Sequence, residues 1–238
     1  MNKFSKILGV AAGWMQQNRI IQSISHALMS LMPALMIGSL GSLLQQIPFA
    51  GYQAFLQASG LYSLTQVFVN VSTNMLALYA SFAIAYQYAI AEGKDGFTAG
   101  MISLISFVII TPMETVGEGW YAVTNLPLSW LGSRGLFAAI IVAIVSVKIY
   151  GVFVDKNITI KMPASVPPFI SKSFGSIIPA AAICFMFGIL SLLIKATPFG
   201  DLHTFIYGII GAPLSSIGGS IWAALLIYIL SGLCWFFG

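Results

Sequence analysis

Few residues in this chain could do chemistry, and their spacing narrows that chemistry further. Glu114 and Glu118 stand four residues apart, a spacing that suggests a metal site or an acid–base pair. Neither a histidine nor a third acid lies near them, so the pair reads as part of a solvated loop. His26 falls in a long apolar stretch with no ionisable partner close by. His203 falls in a stretch dotted with Gly and Pro and reads as a polar-face residue rather than a ligand. Cys184 and Cys234 sit singly in apolar segments, without a CxxC or Cys/His cluster, and read as buried small residues. Asn70 and Asn74, four apart with Ser81 near the same stripe, admit two readings: a polar path for a substrate, or hydrogen bonding between packed helices. These residues assign no catalytic group and no metal ligand, and no cofactor is expected.

The elements that must position them are membrane helices. Only 7% of the 238 residues are charged and 58% are hydrophobic, with a mean hydropathy of +0.94. Residues 20–91 contain no Asp, Glu, Lys or Arg at all. A water-soluble domain of this size needs a charged surface, so the solvent for this chain is a bilayer. A hydrocarbon core of about 30 Å, at about 1.5 Å per residue, needs roughly 20 residues per helix. Six segments approach that length: 20–44, 67–91, 97–113, 136–154, 176–194 and 217–238. The predicted fold class is an all-α, polytopic membrane helix bundle.

The flanking charges orient it. Lys3, Lys6 and Arg19 precede the first segment, Lys94 follows the second, and Lys148, Lys156, Lys161 and Lys172 close the fourth or lead to the fifth. With the N-terminus inside, these eight basic residues face the cytoplasm and only Arg134 and Lys195 face outward, as the positive-inside rule requires. Residues 45–66 and 112–134 then form outer loops, rich in aromatics. All six acids lie in loops or at span ends, which argues against a proton-coupled carrier of another family. An intramembrane enzyme would have only His26 at helix depth. No nucleic-acid partner is expected; membrane lipid is.

Four regions follow along the chain. In residues 1–19, Phe4, Ile7, Leu8, Ala11 and Met15 recur at helical spacing opposite Lys3 and Lys6, which predicts an interfacial amphipathic helix. Residues 20–194 form a five-span bundle. Gly38, Gly41 and the pair Gly96/Gly100 would let helices approach closely. Pro163, Pro167 and Pro168 break any helix, and the fifth span starts near Ser173 or Ser176 as its N-cap. Residues 195–219 read as an amphipathic connector along the membrane, and 220–238 begin another unit.

Two stretches resemble a known family. The run KMPASVPPFISKSFGSIIPA, residues 161–180, resembles the signature loop of the membrane IIC component of bacterial lactose/cellobiose/chitobiose phosphotransferase systems. The opening ILGVAAGWMQQNRIIQSISHALMSLMPALMIGSL is similar to the same family's first helices, and GLCWFFG to the tract before its essential histidine. The resemblance covers essentially the whole chain. It implies a bacterial inner-membrane sugar permease, homodimeric through its N-terminal half, that takes up a β-disaccharide. A soluble IIB component bearing a phosphocysteine would phosphorylate that sugar at the cytoplasmic face. In the family pattern FFG is followed by Ile-His-Gly. The resemblance therefore implies that residues 1–238 hold the dimerisation half and stop short of the essential histidine and glutamate, leaving the chain inactive alone. Trp235, five positions before that histidine, could stack on a sugar ring. A purely structural dimerising fragment and an unrelated small-molecule transporter are the competing readings.

Overall fold

The computed structural model describes residues 13–14, 16–117, 122–163 and 165–217, with positions 225, 228, 229 and 232 beyond them. Most of the expected interfacial helix and of the last apolar segment lie outside the described residues, as do Glu118, Cys234 and Trp235. Eleven α-helices are described: α1 (Arg19–Ser30), α2 (Met32–Gln46), α3 (Ala50–Ala58), α4 (Leu61–Val71), α5 (Leu76–Ala91), α6 (Gly96–Ile110), α7 (Leu128–Leu131), α8 (Leu136–Asp155), α9 (Pro168–Gly175), α10 (Ile177–Lys195) and α11 (Leu202–Ile217). A helical membrane bundle is therefore what the sequence forms.

Helix α5 is its centre. Ala77, Ala80, Ser81, Ile84, Ala85, Tyr88 and Ala89 are all buried, and α1, α6 and α8 pack around them. The side chains are mostly alanine and serine because lipid offers no hydrophobic drive for helix association. Close backbone approach and interhelical hydrogen bonds must hold the helices instead. Gly100 shows how close: a Cβ there would come within 2.7 Å of the Phe82 ring. Ser103 Oγ donates to the Ser81 carbonyl across the same contact, at 2.9 Å and fully buried. On the far side, α10 packs against α6 and α8 through Ile183 and Phe187.

Leu61–Ala91, Ser133–Asp155 and Ile170–Lys195 are long and apolar enough to cross a membrane. The predicted first span is instead a pair, α1 and α2, bent by 47°. Pro33 explains the break: it cannot donate back to the preceding turn, and it occupies the first turn of α2, where the missing N–H is not needed. Ser30 Oγ donates to the Ala27 carbonyl beside the bend. Helix α6, at 15 residues, is about 22 Å long and is stopped by Pro112, so it is shorter than the predicted 97–113 span.

Three expectations need correction. The uncharged loop over 45–66 is largely helical, as α3 and the start of α4, because no proline interrupts residues 50–71 and Gly60 turns the chain at φ +75°. The described part of the second outer loop contains a two-stranded antiparallel hairpin, Glu114–Val116 against Val123–Asn125, with Glu114 opposite Asn125. The prolines of the inner loop do not exclude helix. Pro168 opens α9, where its missing N–H costs nothing. The fifth span does start where expected, with Ser176 at the N-cap position of α10, but its hydroxyl donates back to the Ser173 carbonyl at 2.7 Å rather than bonding the helix.

Helices α2 and α4 pair beside the central bundle. A Cβ on Gly41 would sit 2.8 Å from the Thr65 carbonyl oxygen, an atom held by the α4 backbone. We expect Gly41→Ala to separate α2 from α4 at a cost of about 1–3 kcal/mol. Thermal unfolding in detergent should show it as a clear drop in midpoint. An unchanged midpoint would mean this contact is not tight.

Candidate functional site

The charged residues converge on one end of the bundle. Helix α5 stops there because Gly93 takes a left-handed conformation, φ +70°, with its N–H on Ile90 O at 2.9 Å and the Lys94 N–H on Ala89 O at 2.8 Å. Helix α8 stops at the same level at Asn157, φ +53°. Asparagine is among the few non-glycine residues that adopt this conformation readily.

These two stops bring distant charges together. Arg19 at the start of α1 donates to Glu92 Oε1 at 3.3 Å. Lys94 pairs with Asp155 at the end of α8. Lys172 on α9 lies 3.6 Å from Asp95, whose carboxylate also accepts from Thr98 Oγ1 at 3.0 Å. The pairs are partly exposed and each is worth about 1 kcal/mol at most; they set which helix ends stand next to each other. Between them opens a cavity of about 800 Å³ lined by Lys94, Asp95, Tyr150, Thr159, Lys161, Ser171 and Lys172 among others. Lys148, Lys156 and Lys161 form no ion pair among the described residues, so this end is net cationic. Its chemistry suits an anionic or hydroxyl-rich partner. No group of three His, Cys, Asp or Glu able to hold a metal occurs among the described residues.

Asn70 and Asn74 bond along their own segment and join an amide network that reaches α2 through Gln66, while Asn74 also lines a small pocket with Ser129 and Arg134. Asn74 Nδ2 donates to Asn70 Oδ1 at 2.9 Å, Gln66 Nε2 donates to the same oxygen at 3.1 Å, and Gln45 on α2 reaches Thr65 Oγ1 at 3.1 Å and Gln66 Oε1 at 3.3 Å. The amides thus stitch α2 to α4. Ser81 is elsewhere, buried against α6.

The other expected residues scatter. His26 is exposed on α1, Glu114 is exposed in the hairpin, and Cys184 is half-buried on α10. None of these joins the basic end. His203 departs from the sequence reading. It is 1% exposed, stacked on Trp130 with ring centroids 5.0 Å apart, at the end opposite the basic cluster. No spacing signal linked it to Trp130, which is 73 positions away. The ion pairs did leave a signal: charges separated by span-length gaps with an even number of crossings return to one side.

Comparison with known proteins accounts for this architecture. The family model "Phosphotransferase system, EIIC" matches residues 10–238. The chain is 34% identical over 254 residues to the lichenan permease IIC component of Bacillus subtilis, covering 99% of this chain and 55% of that protein. It is 35% identical over 233 residues to a cellobiose-specific EIIC component of Geobacillus stearothermophilus, covering 94% and 52%. The solved transporter ChbC, the IIC component of the N,N'-diacetylchitobiose-specific phosphotransferase system, is similar with a TM-score of 0.84 and 30% identity, over 98% of this chain and 56% of that one. The chain spans about half the length of the relatives it matches.

The ion pairs make a separate test of the basic end. Asp95→Asn and Lys172→Gln should each lower thermal stability by about 1 kcal/mol or less, the loss should shrink at high salt, and the double variant should be no worse than either single one. Fully additive losses would show that the two side chains do not couple.

Proposed function

The chain belongs to the phosphotransferase-system EIIC family, and on that premise we propose that it is the N-terminal, dimerising half of a sugar permease. The observation that carries this reading is the likeness to ChbC over 98% of this chain at a TM-score of 0.84. The β-disaccharides cellobiose and diacetylchitobiose in the names of its relatives favour a β-disaccharide as the cargo. The basic end would face the cytoplasm, because Arg19, Lys94, Lys148, Lys156, Lys161 and Lys172 collect there while Arg134 and Lys195 lie at the other end. In a bacterial host that membrane is the inner one. The cationic cavity would then meet the soluble IIB component, whose phosphocysteine is an anion.

A second copy of the chain would cover the apolar flank of α2 and α4, where Met36, Leu40, Leu43, Leu64 and Val67 are exposed. Sugar binding and phosphoryl transfer would fall to the remaining half of the family's length. A hydroxyl nucleophile needs a positioned proton acceptor, and at the basic end the described acids Glu92, Asp95 and Asp155 are each engaged by a cation. Trp235, on this reading, belongs to the edge of the sugar-handling half.

Vesicles holding residues 1–238, a IIB protein and labelled cellobiose should form no sugar phosphate. Co-expression with the complementary half of a relative should restore it. Sugar phosphate formed by residues 1–238 alone would overturn the scaffold assignment. For orientation, a cysteine-free background carrying Tyr52→Cys should label from outside with an impermeant reagent, and one carrying Lys156→Cys should not. Outside labelling of the Lys156→Cys protein would invert the topology.

A further inference from the structure

His203 stands in the first turn of α11, outside the membrane-spanning helices, yet its ring is enclosed. It stacks on Trp130 at 5.0 Å and 22° and meets Phe107 edge-on at 5.6 Å. Its Nε2 lies 3.1 Å from Thr111 Oγ1. That hydroxyl already gives its proton to the Phe107 carbonyl, at 2.8 Å. The hydroxyl must therefore accept from the ring, which fixes the proton on Nε2. The lone pair is left on Nδ1, which is buried with no hydrogen-bond partner among the described residues. A neutral ring loses little here. A protonated ring would hold a buried N–H with no acceptor, which is costly.

We propose that His203 is a positioning residue that pins α11 to the bundle only as the neutral Nε2–H imidazole, so that acid at this end of the protein releases the helix. The charged and titratable groups around it are few. Arg134 stacks on Trp130 at 5.2 Å and near Tyr207 at 5.9 Å, adding a cation to the same cluster. Asp201 caps α11, accepting the Thr204 N–H at 2.8 Å and the Thr204 hydroxyl at 2.7 Å. The turns of α6 and α7 that touch the ring supply Phe107, Thr111 and Trp130, none of which ionises in this range.

Burial pushes the imidazole down from 6.5 to about 4, against the pull of the Asp201 carboxylate. The undocked ring therefore takes a proton before the docked one. The contribution of the ring to docking is full above pH 6.5 and is lost as pH falls from about 6.5 toward about 4. By about pH 4.5 the docking equilibrium should have fallen on the order of a hundred-fold. The device does not depend on which sugar, if any, is carried.

Nitroxide labels on Ile209→Cys and Phe137→Cys, in a C184A/C234A background, report the seat of α11 by spin–spin distance. At neutral pH the distribution should be single and narrow, and a broad population should replace it in acid. His203→Gln keeps a donor for Thr111 but cannot take a proton; it should stay narrow at both pH values. His203→Arg should be broad at both. Identical wild-type distributions at the two pH values would overturn the proposal. So would an acid response of the His203→Gln protein equal to that of wild type, which would assign the switch to Asp201. Nitrogen spectra of histidine-labelled wild type test the tautomer without any substitution at His203; a proton on Nδ1 in the docked state would also sink the idea.

Discussion

Everything in this bundle depends on how closely helices can approach α5. In lipid, burying a leucine against another leucine gains little over burying it against an acyl chain, so packing contacts and interhelical hydrogen bonds carry the association. The central helix answers with alanines and a serine on its buried face, and α6 answers with Gly96, Ala99, Gly100, Ser103 and Ser106. Phe82 then lies against Gly100, and Ser103 can reach the Ser81 carbonyl. Another face of α6 points outward: Phe97, Met101 and Ile105 are exposed to the surroundings of the bundle. A chain read only for hydrophobicity would place those residues in a core.

The two ends of the bundle are held by different physics. One end uses helix stops at Gly93 and Asn157 to align opposite charges from α1, α5, α6, α8 and α9. Single exposed pairs are weak, but each selects a neighbour. The other end uses aromatic packing, with Trp130 between the α7 corner and α11, and Arg134 over the rings. The α2–α4 unit is held by a third device, an amide ladder from Gln45 through Gln66 and Asn70 to Asn74. Its glycines, Gly38 and Gly41, bring the backbones close enough for those amides to meet.

This division fits a scaffold. The central bundle is tightly packed, while α2 and α4 keep a wide apolar flank and the basic end keeps an open, charged cavity. Helix α11 leaves the bundle at the end remote from the basic cluster, where Leu202, His203 and Ile206 are buried.

The sequence by itself determined the membrane class, the helical fold and the grouping of charges, because lipid tolerates only saturated backbones and flanking lysines favour one side. The run 161–180 carried the family resemblance. Tertiary structure decided the rest. Pro33 could kink a span or begin a new helix; which one occurs depends on the neighbours that take up the bend. The asparagine stripe could line a path or bind a helix; the contact that joins α2 to α4 is made by Gln45, 20 and 21 positions from its partners Thr65 and Gln66. The hairpin at Glu114 needed its partner strand nine or more residues on. His203 had the composition of a surface residue, and its burial depends on Thr111 and Trp130, which are 92 and 73 positions away. Local pattern reports which solvent a segment prefers, whereas the partner of a polar group inside a bundle is chosen by packing across the whole chain.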